Sequence, residues 1–218
     1  MKGLFSIISF ALINIMGLVQ FNIPTLQEKQ ADHLMIVAHP DDEILWGGDE
    51  LRRENYVVVC LTNGDNDVRR KEFFSVMKQS GDKGIILSFP DKVAGKRSEW
   101  KKEYTQIEKE VEQLMKSREW KKIVTHNPDG EYGHNHHKMT SRIVTDIAEE
   151  LGYRNLYYFN HYTKKDDLKK SDEQPYISEA GIKWKGEMMK LYQSQSAVNE
   201  KLKHMYGYEK LIPQKEWK

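Results

Sequence analysis

The sequence has a single cysteine in 218 residues, so no disulfide can form within the chain. Cys60 lies in the apolar run YVVVCLT with no cation beside it, which marks a buried structural thiol rather than a reactive one. An excess of either charge is also missing: 34 basic residues face 33 acidic ones, for a net charge of +1. A nucleic-acid footprint needs a basic face, so that class of partner is disfavoured. Internal repeats and low-complexity tracts are absent, and this length suits one sizeable domain with at most an appendage.

Charge disappears altogether from Gly3 to Gln27, where Leu4 to Val19 reads LFSIISFALINIMGLV. Roughly 17–25 apolar residues span a bilayer as a helix, whereas secretory cores run about 7–15. No small-x-small cleavage site follows the stretch, because Ala11 is the last alanine of the region and bulky residues lead up to Pro24. The pattern favours an uncleaved membrane anchor over a cleaved signal peptide. Residues 1–27 are then a hydrophobic segment, expected to be a helix, and 28–218 the domain that follows. Lys2, the one charge before the segment, predicts a cytoplasmic N-terminus with the domain membrane-anchored or exported and extracytoplasmic. No basic cluster follows the segment to meet anionic headgroups.

What is present is alternation. Five short runs rich in β-branched and aromatic residues, at 33–38, 56–62, 84–89, 122–127 and 155–160, have strand length. Between them lie helical patterns; the third repeats Tyr104, Ile107, Val111, Leu114 and Met115 on one face. Gly81 and Gly152 sit where helices would end. The reading is an α/β, Rossmann-like fold with a mostly parallel sheet of about five strands and helices on both faces. One further helical piece is expected in KWKGEMMKLYQSQSAVNEKLKHMY, 183–206.

Ligands of such sheets bind where strands end and helices begin. Two of those loops are loaded: AHPDDE after the first strand and HNPDGEYGHNHH after the fourth, which holds four of the chain's eight histidines. Two histidines and a carboxylate suit zinc or another divalent transition metal, with a position left open for water. His39 and Asp42 can point at one ion across the strand-to-helix turn, and His137 completes the set from the second loop. Asp41 would stand by as general base. Each cluster alone reads more simply, DDE as a helix cap and His136–His137 as a surface pair; their placement on one sheet edge favours the metal site. Glu43 is expected to serve the first helix.

AHPDDE followed about ninety residues later by GEYGHxxH resembles the LmbE/PIG-L family of zinc-dependent N-deacetylases, over Leu34 to Phe159, with a similar element in KLYQSQ at 190–195. The resemblance implies hydrolysis of the acetamide of an N-acetylglucosamine-type group on a glycan, glycolipid or small conjugate, releasing acetate and a free amine. It implies zinc held by His39, Asp42 and His137, Asp41 as the base, and His134 and Tyr132 at the oxyanion or leaving amine. Arg69 matches a substrate-contacting arginine, with Glu72 three residues on. The loops after strands two and three would hold the sugar, with Trp100 as a stacking ring or, more simply, a core aromatic. Many relatives read H-P-D-H where this chain has HNHH, so Asn135 and His136 depart from the pattern. The expected consequence is a change in the orientation and basicity of His134, with a shifted acid limb. Competing readings are a metal- or glycan-binding module without turnover and a ferrous-iron oxygenase.

Overall fold

β1 (His33–Val37) is followed by α1 (Asp42–Arg53), β2 (Tyr56–Thr62), α2 (Asp67–Ser80) and β3 (Lys83–Phe89). A small ribbon, β4 (Lys92–Val93) and β5 (Lys96–Arg97), precedes α3 (Tyr104–Lys116), β6 (Lys122–Thr125), α4 (Asn135–Glu150) and β7 (Leu156–Phe159). The chain closes with α5 (Lys165–Leu168), α6 (Glu179–Met189), α7 (Ser196–Leu202) and β8 (Leu211–Pro213). These elements come from a computed structural model that describes residues 31–218, which form one compact unit. The expected hydrophobic helix and the 27/28 boundary lie outside the described residues. Among the described residues no helix is long and apolar enough to cross a membrane.

The main sheet has the order β3-β2-β1-β6-β7-β8. All neighbours pair in parallel except β8, which runs antiparallel to β7. The five expected strands are therefore joined by a sixth, three residues long and ending in proline, too short to carry a periodic signal. After β1 the chain winds outward to β3, then returns to the other side of β1 as β6. The carboxyl ends of β1 and β6 thus flank the point where the winding reverses, the place where open sheets of this kind take ligands.

Alternation along β1 supplies both layers. Met35 and Val37 enter a cluster with Ile44, Leu45, Phe73, Phe159 and Met189 from α1, α2, β7 and α6. Leu34 and Ile36 point the other way, where α3 and α4 bury Ile107, Val111, Ile143 and Ile147. Each fully buried aliphatic of this kind contributes roughly 1.5–3 kcal/mol. Cys60 sits inside the core as a free, fully buried thiol, its pKa pushed well up by burial.

Helix ends follow their local chemistry. The Asn66 side chain accepts from the amides of Val68 and Arg69 to start α2, and Gly81, at φ 84°, ends it. The expected single helix over 183–206 is instead broken between α6 and α7, where Tyr192 and Ser194 donate to Glu43 of α1 and Glu72 of α2. α1 is interrupted at Gly47 (φ −132°, ψ 18°), where an added Cβ would stand 2.7 Å from Met35 Cε. The break frees backbone N–H groups beyond it, and Asp49 and Glu50 donate theirs to the Glu209 carboxylate at 2.9 and 2.8 Å.

Candidate active site

The two loaded loops meet above β1 and β6. Pro40 and Asp41 turn the chain from β1 into α1, with Asp41 at φ 112°, a left-handed conformation that costs an aspartate energy. Two contacts hold it there. The Asp41 amide donates to Glu43 Oε2 at 3.0 Å, and Arg69 donates to the carbonyl of Pro40. Glu43 is fully buried and receives the Tyr192 hydroxyl at 2.5 Å, so it braces the loop rather than simply capping the helix. Burial lifts its pKa to about 8. Asp41 is itself buried with Arg69 at 3.4 Å; burial carries its pKa up to about 7 against the pull of that guanidinium.

The second loop is shaped by Gly130, at φ 67°, where an added Cβ would lie 2.6 Å from the His134 carbonyl oxygen. It delivers Glu131, Tyr132, His134, His136 and His137 together. Three overlapping trios of donors lie within 4.8 Å: His39, His134 and His137; His39, Asp91 and His136; Asp42, His126 and His137. Hydrogen bonding separates them. His126 Nδ1–H donates to Glu131 Oε2 at 3.0 Å, and its Nε2 accepts from the Ala38 amide, so neither nitrogen is free. His134 Nδ1 accepts from the His136 amide at 3.2 Å, which leaves the proton of neutral His134 on Nε2.

His136 Nε2 faces the carbonyl of Ser98 at 2.7 Å and must therefore donate, so its Nδ1 is a bare acceptor 3.1 Å from His39 Nε2. His39 in turn carries its proton on Nε2, and its Nδ1 is bare. His137 Nδ1–H donates to Glu131 Oε2 at 2.5 Å, leaving Nε2 buried and without a hydrogen bond. Thus two imidazole nitrogens, His39 Nδ1 and His137 Nε2, face one carboxylate oxygen, Asp42 Oδ2, at 3.1 and 3.3 Å, and that oxygen also accepts from the His39 amide at 2.8 Å. Such a group of acceptors calls for a cation. The same demand shows in His137: burial lowers its pKa, yet Asp42 and Glu131 outweigh that and raise it to about 10.

A cavity of about 1110 Å3 opens over this cluster. Asn63, Asp65, Asn66 and Arg69 line it from the loop after β2 and the start of α2, Ser88 and Asp91 from the end of β3 and beyond, and Gln195 and Lys201 from the C-terminal part. Tyr132 is 42% exposed at the mouth, its ring 6.0 Å from His134. Arg69 is 6% exposed; it lines the cavity but also braces Pro40 and Asp41. Trp100 is fully buried, donates to Pro90 and stacks on His136 at 4.1 Å, so it is a core ring and not a surface for sugar. The substitution at His136 acts elsewhere than expected. Only its backbone amide touches His134 by hydrogen bond, as any residue's would, whereas its ring reaches His39.

Against known families, the pattern described as PIG-L, GlcNAc-PI de-N-acetylase, matches residues 34–148, more than half of the chain. The chain belongs to the PIG-L family. A deacetylase-type activity is the class that membership suggests. A viral relative, "Uncharacterized protein L374" of Acanthamoeba polyphaga mimivirus, is 33% identical over 149 residues, 61% of this chain and 63% of that one. The chain thus spans less than two thirds of its curated relative. Among solved structures, the conserved protein TT1542 of Thermus thermophilus superposes with a TM-score of 0.60 at 17% identity, over 87% of this chain and 97% of that one. GalB, the 4-carboxy-2-hydroxymuconate hydratase of Pseudomonas putida, gives 0.56 at 14% identity, over 80% and 82%. These two share the fold of this PIG-L chain.

His126, Glu131, Asp91 and Tyr192 belong to the site although sequence reasoning did not single them out for it. His126 and Glu131 stood within the second loaded loop and could have been found there. Tyr192 lay in KLYQSQ and Asp91 in the loop after the third strand, but nothing local marked either residue within those stretches.

Proposed function

We propose that the protein is a metal-dependent N-deacetylase that hydrolyses the acetamide of an N-acetylglucosamine-type group, releasing acetate and a free amine. The observation that carries the reading is the approach of two imidazole nitrogens, His39 Nδ1 at 3.1 Å and His137 Nε2 at 3.3 Å, to the buried carboxylate oxygen Asp42 Oδ2. Those residues would hold a divalent transition metal, zinc first by its preference for two imidazoles and a carboxylate. When bound, zinc supplies Lewis acidity to the acetamide carbonyl and acidity to water.

The remaining chemistry belongs to the side chains. Asp41, with a pKa of about 7, is matched to taking a proton from the attacking water at neutral pH. Its strained backbone, held by Glu43 and Arg69, aims the carboxylate beside Asp42. Neutral His134 presents Nε2–H as a donor to the developing oxyanion, with the Tyr132 hydroxyl as a second donor from the mouth. Asp41 then returns the proton to the departing nitrogen. Arg69 and the loops after β2 and β3 bind the sugar hydroxyls in the cavity. The uncharged N-terminal run supports action at a membrane on the extracytoplasmic side.

The test is amine release from N-acetylglucosamine and a panel of its glycosides by full-length protein, stripped with chelator and reloaded with zinc. Release should need zinc and fall by about 100-fold or more in Asp41→Asn. Zinc-independent release, or an Asp41→Asn variant as active as the parent, would refute the reading.

A further inference from the structure

His39 is held from behind by His136, Ser98 and Trp100, none of which lines the cavity. We propose that His136 is a positioning residue whose ring fixes the proton of His39 on Nε2 and so turns the bare Nδ1 toward the metal; this rests on the metal-centre reading above. The chain of bonds starts at the backbone. Ser98 O accepts from His136 Nε2–H at 2.7 Å, and a carbonyl cannot donate, so the His136 tautomer is dictated by the main chain. The acceptor Nδ1 that results stands 3.1 Å from His39 Nε2.

The ring that transmits this cannot swing away. Trp100 lies parallel to His136, 8° between planes and 4.1 Å between centroids. Trp100 is anchored in turn, its indole N–H donating to Pro90 O at 2.9 Å and its side chain fully buried. His136 is fully buried as well. Asp91 offers His39 Nε2–H a second acceptor at 3.3 Å, but it also takes the Arg97 guanidinium and is part-exposed on the ribbon that holds β4 and β5. The buried, singly committed acceptor is His136. Outer partners of this kind orient a ligating imidazole and keep it in one tautomer.

The two amide variants of His136 separate the acceptor from the donor. In His136→Asn, Oδ1 sits one bond beyond Cγ, as Nδ1 does, and can accept from His39; in His136→Gln, Nε2 can reach Ser98 O but the acceptor next to Cγ is gone. Both lose the ring stack on Trp100, so packing loss is common to both. Zinc affinity of the full-length protein is read by chelator competition, with thermal melting of the metal-free proteins to verify folding. His136→Asn should keep zinc affinity near the parent value, whereas His136→Gln should lose about 10–100-fold. Equal affinity in the two variants, tight or weak, or weaker binding in His136→Asn, would overturn the proposal. A parent protein that holds no zinc would remove it together with the metal reading. Zinc bound stoichiometrically without amine release from any substrate would instead refute the deacetylase and leave the His136 comparison to be judged on its own result.

Discussion

Glu209 is the residue whose loss should be felt farthest from the active site. Its carboxylate accepts from the amides of Asp49 and Glu50, freed by the break in α1 at Gly47, and from Lys185 Nζ at 2.7 Å. Lys185 is fully buried and Glu209 is 6% exposed. Removing one partner of a buried ion pair costs about 3–5 kcal/mol, and each orphaned buried amide about 1–3 kcal/mol before water relaxes it. Glu209→Ala strands all three donors, and with water relaxing the two amides the loss falls at the low end of the sum, about 5 kcal/mol. For a chain of this size that corresponds to a fall in Tm of roughly 10–20 °C. Lys185→Met leaves the carboxylate with its two amides and should cost about 3 kcal/mol. Combined with Glu209→Gln, it removes both charges, so the double variant should be more stable than the sum of the single losses by about 2 kcal/mol. Urea unfolding with an unchanged m value provides the measurement. A Glu209→Ala loss below about 1 kcal/mol, or strict additivity in the double variant, would refute the assignment of Glu209 as a buried cap and counter-ion.

Tyr192→Phe takes the hydroxyl from Glu43 and loosens the hold on the Asp41 amide; stability should fall by about 1–3 kcal/mol and kcat should drop with KM little changed, and an unaltered kcat would sink the bracing role. Asp82 accepts from the Tyr56 amide at 2.8 Å while its Oδ2 is buried without a hydrogen bond, and burial raises its pKa from 3.8 to about 6. The folded state therefore holds that proton more tightly than the unfolded state, and stability is complete below about pH 4 and is lost as pH rises through about 6. Asp82→Asn should be the more stable protein at pH 8, by at most roughly 3 kcal/mol, and equal to the parent near pH 4; denaturant titrations at the two pH values decide it. Gly130→Ala forces a Cβ to within 2.6 Å of the His134 carbonyl at a positive φ, so zinc affinity and activity should both fall, and a fully active variant would show the loop to be more yielding than its geometry indicates.

Much of the site was legible because its signals are local. AHPDDE directly follows the first strand and GHNHH closes the loop after the fourth, and strand ends are recognisable from β-branched runs giving way to turn residues and acids. Four of the five expected strands agree with the observed ones to within a residue at each end; the run ending at 127 stops at Thr125, where Asn127 and His126 turn to Glu131. The helix over 183–206 failed for the opposite reason. Its apolar spacing is continuous, but Tyr192 and Ser194 are claimed by Glu43 and Glu72, residues 149 and 122 positions away.

The sequence by itself determined the layered α/β architecture, the two loops that carry acids and histidines, and the family to which they belong, since periodicity and short motifs are written in neighbouring residues. Only the tertiary structure decided which partner each histidine of the two loops meets. It also decided that His136 answers to His39 rather than His134, that Glu43 braces the strained Asp41, and that Glu209 completes a broken helix. Each of those outcomes depends on which donor meets which acceptor once water is excluded, and the partners stand as many as 160 residues apart.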